Sequence, residues 1–425
     1  MVPTVAPELD LRGLIDARRP GWSLEQPFYT SAAVLHYDLD RVFRRHWLFG
    51  GFSLQLPRPG DYVTMEIDNE SIVIIRGDDG QARALYNVCR HRGSHLCTEA
   101  SGHVKKLVCP YHQWVYERNG RLAAARLMPE EFDRSAFGLH AAHLREVEGL
   151  IFVSLADEPP SFDAAERAYA PYLKPYALAR TKIAHHERHP LKANWKLLTE
   201  NFRECYHCGY GHPEYCRAMI GASLTEPREA ARAVREERLA SWKAQGLPTE
   251  PVQFSPERWH HVSRYPFRPG FVTQSLDGRP VGPLLGDLPG WDTGTWAIVS
   301  YPGFWLESGP DVVWCMRATP VTPALTMLDQ WWLVREDAVE GQDYDVERVT
   351  AFWRITGEQD WTLCENNQAG VNSSRYRPGP YALSERGPET FVQWYLRQLT
   401  DPEPICRAAG RRPDGSGQPN AARQV

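Results

Sequence analysis

The sequence predicts an α+β fold in two parts, a small all-β domain followed by a larger domain that mixes helices and strands. Three observations carry this. Over residues 45–155, short β-branched runs alternate with turn dipeptides. At Ala156-Asp157-Glu158-Pro159-Pro160-Ser161 the composition becomes that of a linker. Beyond it, helical and strand-like stretches are interleaved without an internal repeat. The 425 residues suffice for two or three domains with a large core, and a hydrophobic share of 42% is ordinary for a globular chain.

The elements follow in order. Residues 1–40 are a polar lead-in with one helix expected over 8–18, and a second helix is expected over 39–48. Strands are expected over 62–67, 71–76 and 82–87, with Asp68-Asn69 and Asp78-Asp79-Gly80 as turns. A hairpin is expected over 115–122, turning at Asn119-Gly120. After the linker, helices are expected over 194–208 and 226–245, and strands over 295–302, 312–319 and 325–334. A long helix over 344–371 and a last one over 389–399 precede a loose Gly-, Pro- and Arg-containing tail over 402–425. The expected units are thus a segment 1–44 packing on the larger domain, a β domain 45–157, a mixed domain 158–401, and the tail.

Charge excludes some functions. Lys plus Arg is 48 against 53 Asp plus Glu, a net of −5, which argues against a broad basic surface for nucleic acid or anionic membrane. No apolar run approaches the roughly 18–20 residues that span a bilayer. The N-terminal stretch lacks an apolar signal core and meets Asp10, Arg12 and Asp16 early, so a cytoplasmic protein is expected. There the nine cysteines point to metal or redox chemistry rather than disulfides. Five of them, with six of the 15 histidines, fall within two windows, 89–112 and 205–212.

The first window holds Cys89-Arg90-His91 and Cys109-Pro110-Tyr111-His112. Each loop offers one thiolate and one imidazole on a β scaffold, unlike a zinc finger, whose cysteines lie together. A two-iron cluster can use this set, both cysteines on one iron and both histidines on the other. A structural zinc site is the other reading. Gly93 is read as allowing close backbone approach, Trp114 as shielding the site from water, and Cys97 as a packing thiol.

In the second window His207 and His212 are five apart, which turns their side chains roughly 140° from each other on an ideal helix. Both can face one metal only if the helix is distorted or ends between them, as Gly209, Gly211 and Pro213 permit. Two histidines need one carboxylate to complete the facial triad of a non-haem Fe(II) oxygenase. Glu204 is near, but a remote acid in the long helix is the better source, and spacing leaves Glu358, Asp360 and Glu365 open.

Together the windows resemble the catalytic (α) subunit of a Rieske non-haem iron oxygenase, most nearly its glycine betaine and proline betaine demethylase branch. The likeness is carried by residues 23–29, 87–93, 105–113, 194–212, 332–334, 337–341 and 377–381. It implies a larger domain of helices on an antiparallel sheet. It also implies a [2Fe–2S] cluster on Cys89, His91, Cys109 and His112, and a mononuclear non-haem Fe(II) on His207, His212 and Asp360. It makes Glu204 the bridge between the two sites, where ring-hydroxylating dioxygenases usually carry Asp. It further implies a separate NAD(P)H-dependent flavin and iron–sulfur reductase, a homotrimer, O2 as co-substrate, and oxidative N-demethylation releasing formaldehyde. Hydroxylation at carbon of another small cationic or aromatic substrate is the alternative.

A quaternary ammonium donates no hydrogen bonds, so aromatic faces are the physical solution for binding it. By resemblance the cage region is Tyr301-Pro302-Gly303-Phe304-Trp305, which makes Phe304 and Trp305 candidates ahead of Trp259, Tyr265 and Phe271. The branch follows the tryptophan with Asn-His, whereas this chain has Leu306-Glu307. An acid there repels a betaine carboxylate and suits a cation without one.

Overall fold

The computed structural model describes residues 9–222 and 226–400, so the tail expected over 402–425 and the first residue of the helix expected over 8–18 lie outside the described residues. Three short helices open the chain, α1 (Leu11–Asp16), α2 (Pro27–Thr30) and α3 (Ala32–Asp38). The helix expected over 39–48 is corrected: one widened turn spans Leu39–Phe43, and β1 (Leu48–Phe52) follows as a strand buried along its whole length. A run that is apolar on every side fits a doubly covered strand as well as a helix, and pairing with a later strand decides it.

The first part holds β1 to β10, namely β2 (Asp61–Ile67), β3 (Glu70–Arg76), β4 (Ala82–Tyr86), β5 (Ser101–His103), β6 (Leu107–Val108), β7 (Val115–Tyr116), β8 (Leu122–Ala124), β9 (Ala141–Val147) and β10 (Leu150–Ser154). A seven-stranded sheet runs in the order β1-β10-β9-β4-β3-β2-β5, and β6-β7-β8 form a second, three-stranded sheet. The three expected turns stand: Asp68 takes a φ of +52° between β2 and β3, Gly80 takes +78° between β3 and β4, and Gly120 takes +86° between β7 and β8. A separate small core, with Leu85, Leu107, Tyr116 and Leu139, forms around Cys89 and Cys109.

The second part is a six-stranded antiparallel sheet with helices on it. Its strands are β11 (Thr181–Leu191), β12 (His260–Tyr265), β13 (Thr295–Ser300), β14 (Phe304–Ser308), β15 (Val313–Thr322) and β16 (Leu325–Arg335), in the order β11-β16-β15-β14-β13-β12. Sequence reading leaves β11, β12 and β14 unassigned. Period-two alternation sends Phe304, Leu306 and Leu333 into the core shared with the first part. It sends Trp305, Trp314, Trp332 and Val334 into a second core beneath the long helix.

The helices are α4 (Asp163–Leu173), α5 (Trp195–Asn201), α6 (Cys208–Gly211), α7 (Pro213–Ala218), α8 (Arg228–Ala244), α9 (Val346–Val371) and α10 (Arg386–Thr400). Helix α9 is capped by the Asp345 side chain, which accepts from the Arg348 N–H at 3.0 Å. It buries a stripe through Val349, Phe352, Trp353, Thr356, Asp360, Trp361 and Cys364, spaced three and four apart. Gly357 is required there, because a Cβ would stand 2.8 Å from the Trp361 ring. The helix expected over 194–208 stops at Asn201, and α6 is a single turn that begins at Cys208. No helix among the described residues is long and apolar enough to cross a membrane.

Two candidate metal centres

The first centre sits on two loops of like design, one after β4 and one between β6 and β7. In the first, Gly93 N–H donates to the Cys89 carbonyl at 2.9 Å; in the second, Gln113 N–H donates to the Cys109 carbonyl at 3.0 Å. Gly93 and Gln113 both take positive φ, +81° and +56°, so each cysteine is followed four residues on by a left-handed turn. The value of Gly93 is therefore its backbone conformation. Buried Asn87 pins the first loop, accepting from the Leu96 and Cys97 N–H groups at 2.9 Å and donating to the Cys97 carbonyl at 2.7 Å. Cys97 is buried, as expected of a packing thiol.

These loops bring the Cys89 and Cys109 side chains into contact and the two histidine rings together. The His91 and His112 rings are 4.6 Å apart, and Trp114, buried, stacks on His91 at 4.8 Å. Backbone N–H groups of His91 reach the Cys89 sulfur, and those of Tyr111 and His112 the Cys109 sulfur. His112 Nδ1 is buried without a hydrogen-bond partner. Two buried sulfurs that attract amide donors, with a buried imidazole nitrogen that has no hydrogen-bond partner, fit a [2Fe–2S] cluster held by Cys89, His91, Cys109 and His112.

The second centre lies where α6 ends against α9. His207 immediately precedes α6 and His212 immediately follows it, so the helix does end between them. His207 Nε2 and His212 Nε2 are 3.1 Å apart, and Asp360 Oδ1 lies 3.0 Å from the latter and 3.3 Å from the former. Donors bound at about 2.1 Å and at right angles are separated by about 3.0 Å, so this triangle is the right size for one face of an octahedral ion. Asp360 is 4% exposed. Glu358 is exposed, and Glu365 accepts from the Lys192 N–H at 3.1 Å, which leaves neither near the triangle.

Each donor is aimed by a neighbour. Glu204 Oε1 is 2.6 Å from His207 Nδ1, Gln359 Oε1 is 2.9 Å from His212 Nδ1, and Asn201 Nδ2 donates to Asp360 Oδ1 at 2.5 Å. Such contacts fix imidazole orientation and leave Nε2 free for a metal. The Glu204–His207 contact arises in the turn after α5 rather than on a shared helix face. Sequence reasoning missed Gln359 and Asn201, although Gln359 is next to Asp360 and Asn201 lies three residues before Glu204. It also expected no disulfides, yet Cys205 is bonded to Cys208, their Cα atoms 4.9 Å apart across that turn. Cys208 is therefore no thiolate ligand, although its sulfur is 3.9 Å from His207 Nε2.

Beyond His212 lies an aromatic wall. The Tyr215 ring is 6.4 Å from His212 and 6.1 Å from Trp353, which stacks on Trp314 at 4.1 Å; the Phe202 ring is 5.2 Å from Trp305. Trp305 and Glu307 share the face of β14 turned to α9, whereas Phe304 faces the first part, 4.7 Å from Phe49 and 5.3 Å from Phe152. Phe304 is thus corrected from a substrate contact to a core residue, because one step along a strand reverses the face. Trp259 likewise packs on Phe162, while Tyr265 and Phe271 border the iron-side core. Glu307 accepts from Gln274 Nε2 at 2.9 Å, and burial lifts its carboxyl to about 7 despite that bond.

Comparison with known proteins agrees with this geometry. Residues 46–139 match the Rieske [2Fe-2S] domain, and residues 163–401 match the ring hydroxylating alpha subunit (catalytic domain). The chain is 40% identical to the glycine betaine monooxygenase oxygenase subunit of Chromohalobacter salexigens over 90% of its own length and 87% of the relative's. It is 37% identical to that of Pseudomonas aeruginosa, over 91% of each. Over 46% of its length it is 36% identical to the carnitine monooxygenase oxygenase subunit of Escherichia coli, covering 53% of that protein. Among solved structures it resembles a quaternary ammonium Rieske monooxygenase in complex with L-carnitine, with a TM-score of 0.68 at 22% identity over 93% of this chain and all of the other.

Proposed function

Because the chain belongs to the ring-hydroxylating oxygenase alpha-subunit family, with a Rieske domain ahead of its catalytic domain, we propose that it oxidises an N-methyl group of a quaternary ammonium cation and releases it as formaldehyde. It is the catalytic subunit of a Rieske-type monooxygenase, and its electrons come from a separate reductase. When bound, the cluster supplies electrons one at a time and the mononuclear iron supplies O2 activation. The protein's own residues do the rest. Glu204 and Gln359 hold the ligand imidazoles, and Tyr215, Trp305 and Trp353 wall off water beside them.

The observation that carries the substrate reading is a half-buried acid among aromatic rings on the iron side of β14. Glu307 shares a face with Trp305, and its charge is felt by Tyr215, which also senses Asp360. A cation placed there meets ring faces and a counter-charge together. The relatives named above act on glycine betaine and carnitine, both of which carry a quaternary ammonium and a carboxylate. Glu307 favours a cation whose carboxylate is absent or distant.

The proposed assembly is a ring of three. Tyr206 and Tyr210 are exposed beside His207, and Val108 and Tyr111 are exposed beside the cluster loops. Seating one subunit's cluster loops against the next subunit's Glu204 covers both patches. The same reading sets the domains at 45–157 and 158–401, with 1–44 packed on the latter, and places the protein in the cytoplasm. Substrate-stimulated O2 uptake over a panel of methylated amines, with a Rieske-oxygenase reductase, tests the function. The expected result is one formaldehyde per O2 with carboxylate-free quaternary cations. A hydroxylated product without formaldehyde sinks the demethylation. Glycine betaine turned over as fast as any other amine sinks the role given to Glu307.

A further inference from the structure

A cavity of about 340 Å³ adjoins the iron ligands on the side of α5, lined among others by Glu204, His207, Asn201, Glu200, Tyr29 and Tyr381. It is large enough for several ordered waters at about 30 Å³ each. Glu200 lies in the last turn of α5, one residue before Asn201 ends it. Its Oε1 accepts from the Tyr29 hydroxyl and its Oε2 from the Tyr381 hydroxyl, both at 2.8 Å, the tyrosines lying 171 and 181 residues away in sequence. Residues 23–29, 377–381 and 194–212, which stand out in the sequence, thus meet at one carboxyl group. Neither the metal ligation nor the substrate reading gives that carboxyl a task.

Its surroundings are those of a proton carrier. Burial lifts Glu200 to about 7, and Glu385 pushes in the same direction. The two tyrosine hydroxyls and the Lys196 charge oppose this, but Lys196 is itself wholly buried and paired with Asp38. Tyr376 and the Cys364 thiol of α9 also face the carboxyl, and Glu204 and His207 share the cavity with it. Asn201 and His207 line the cavity and each contact Asp360, so the cavity reaches the edge of the ligand triangle.

We propose that Glu200 is the proton donor that serves the iron site through water held in this cavity. The proposal rests on the oxygenase reading, whose balance demands it. A quaternary N-methylammonium, O2, two electrons and two protons give the N-hydroxymethylammonium and one water. One C–H bond and the O–O bond break, one C–O bond forms, and the second oxygen leaves as water. The reductase supplies the electrons. The protons leave the Glu200 carboxyl one at a time, and solvent refills it past the exposed residue Pro380 at the cavity wall. Collapse of the carbinol to the tertiary amine and formaldehyde returns one proton.

Glu200→Gln keeps the size of the side chain, which accepts from one tyrosine hydroxyl and donates to the other. In infrared titration of the holoenzyme, the wild type is expected to show a protonated-carboxyl band that titrates near pH 7 and is absent from the variant. Turnover of the variant is expected to fall roughly 100-fold or more. Its alkaline limb should vanish while iron content, cluster signal and melting temperature hold, and Glu200→Asp should recover part of the rate. A Glu200→Gln enzyme with the wild-type rate and pH profile overturns the proposal, as does a wild type with no such band. If Glu200→Gln loses iron or unfolds, Tyr381→Phe decides. Removing a bond to the ionised form must move the infrared midpoint and the alkaline limb upward together, and a limb that stays in place overturns the relay. Absence of any product from the wild type sinks the oxygenase reading instead.

Discussion

The two metal centres are built in opposite ways. The cluster site is local: its four proposed ligands fall within residues 89–112, on two loops whose backbone turns repeat each other. The iron site is dispersed, its proposed third ligand 148 residues beyond His212, and its donors are aimed by the side chains of Glu204, Gln359 and Asn201. A site made by backbone turns is specified by spacing, whereas a site aimed by side chains depends on tertiary contacts that no spacing records.

Substitutions can break this contrast, and the largest effects come from the ligands. Cys109→Ala should abolish the visible absorbance and EPR signal of the cluster and all turnover, while the mononuclear iron remains on metal analysis. Asp360→Ala should do the reverse, keeping the cluster signal, losing one iron per chain and reducing turnover to background. Cross-loss of both metals in either variant would mean that the sites are not independent.

Weaker effects should come from the aiming contacts. Glu204→Gln should leave both metals bound and slow turnover roughly 10- to 100-fold, and Gln359→Leu should cost about 10-fold in iron affinity, checked by chelator competition. On β14, Trp305→Ala should raise KM for a quaternary cation about 10-fold. Phe304→Ala, one residue away but on the other face, should cost about 3–5 kcal/mol of stability and leave KM unchanged. Equal KM changes in the two would contradict the assigned faces.

The smallest effect is on pH dependence. Glu307 is lifted from its ordinary range to about 7, so the unfolded chain ionises first. Its contribution to stability is present at low pH and is lost as pH rises from about 4.5 to 7. Glu307→Gln should therefore stabilise the protein at pH 8 by more than at pH 4, read from melting temperatures at the two pH values, the difference being on the order of a few kcal/mol at most. A larger gain at acid pH would show that the carboxyl is ionised throughout.

The same contrast explains what could be read from sequence. The proposed cluster ligands stood out in the sequence because four residues in two short loops leave little freedom. His207 and His212 were legible only as a condition, that the helix must end between them, and α6 meets it by being one turn long. Asp360 could not be separated from Glu358 and Glu365 by spacing, because the choice depends on which side of α9 faces α6. Phe304 was misplaced because β14 was not recognised, and without a strand there is no alternation to assign faces. The Cys205–Cys208 bond was missed because composition and an expected compartment argued against it.

Two different metal centres in one chain are the central claim. Iron and acid-labile sulfide analysis of the purified holoprotein, with EPR of its reduced form, tests this most directly. The expected result is about three irons and two sulfides per chain with a Rieske signal. Two irons with two sulfides, or colourless protein containing zinc, would contradict it.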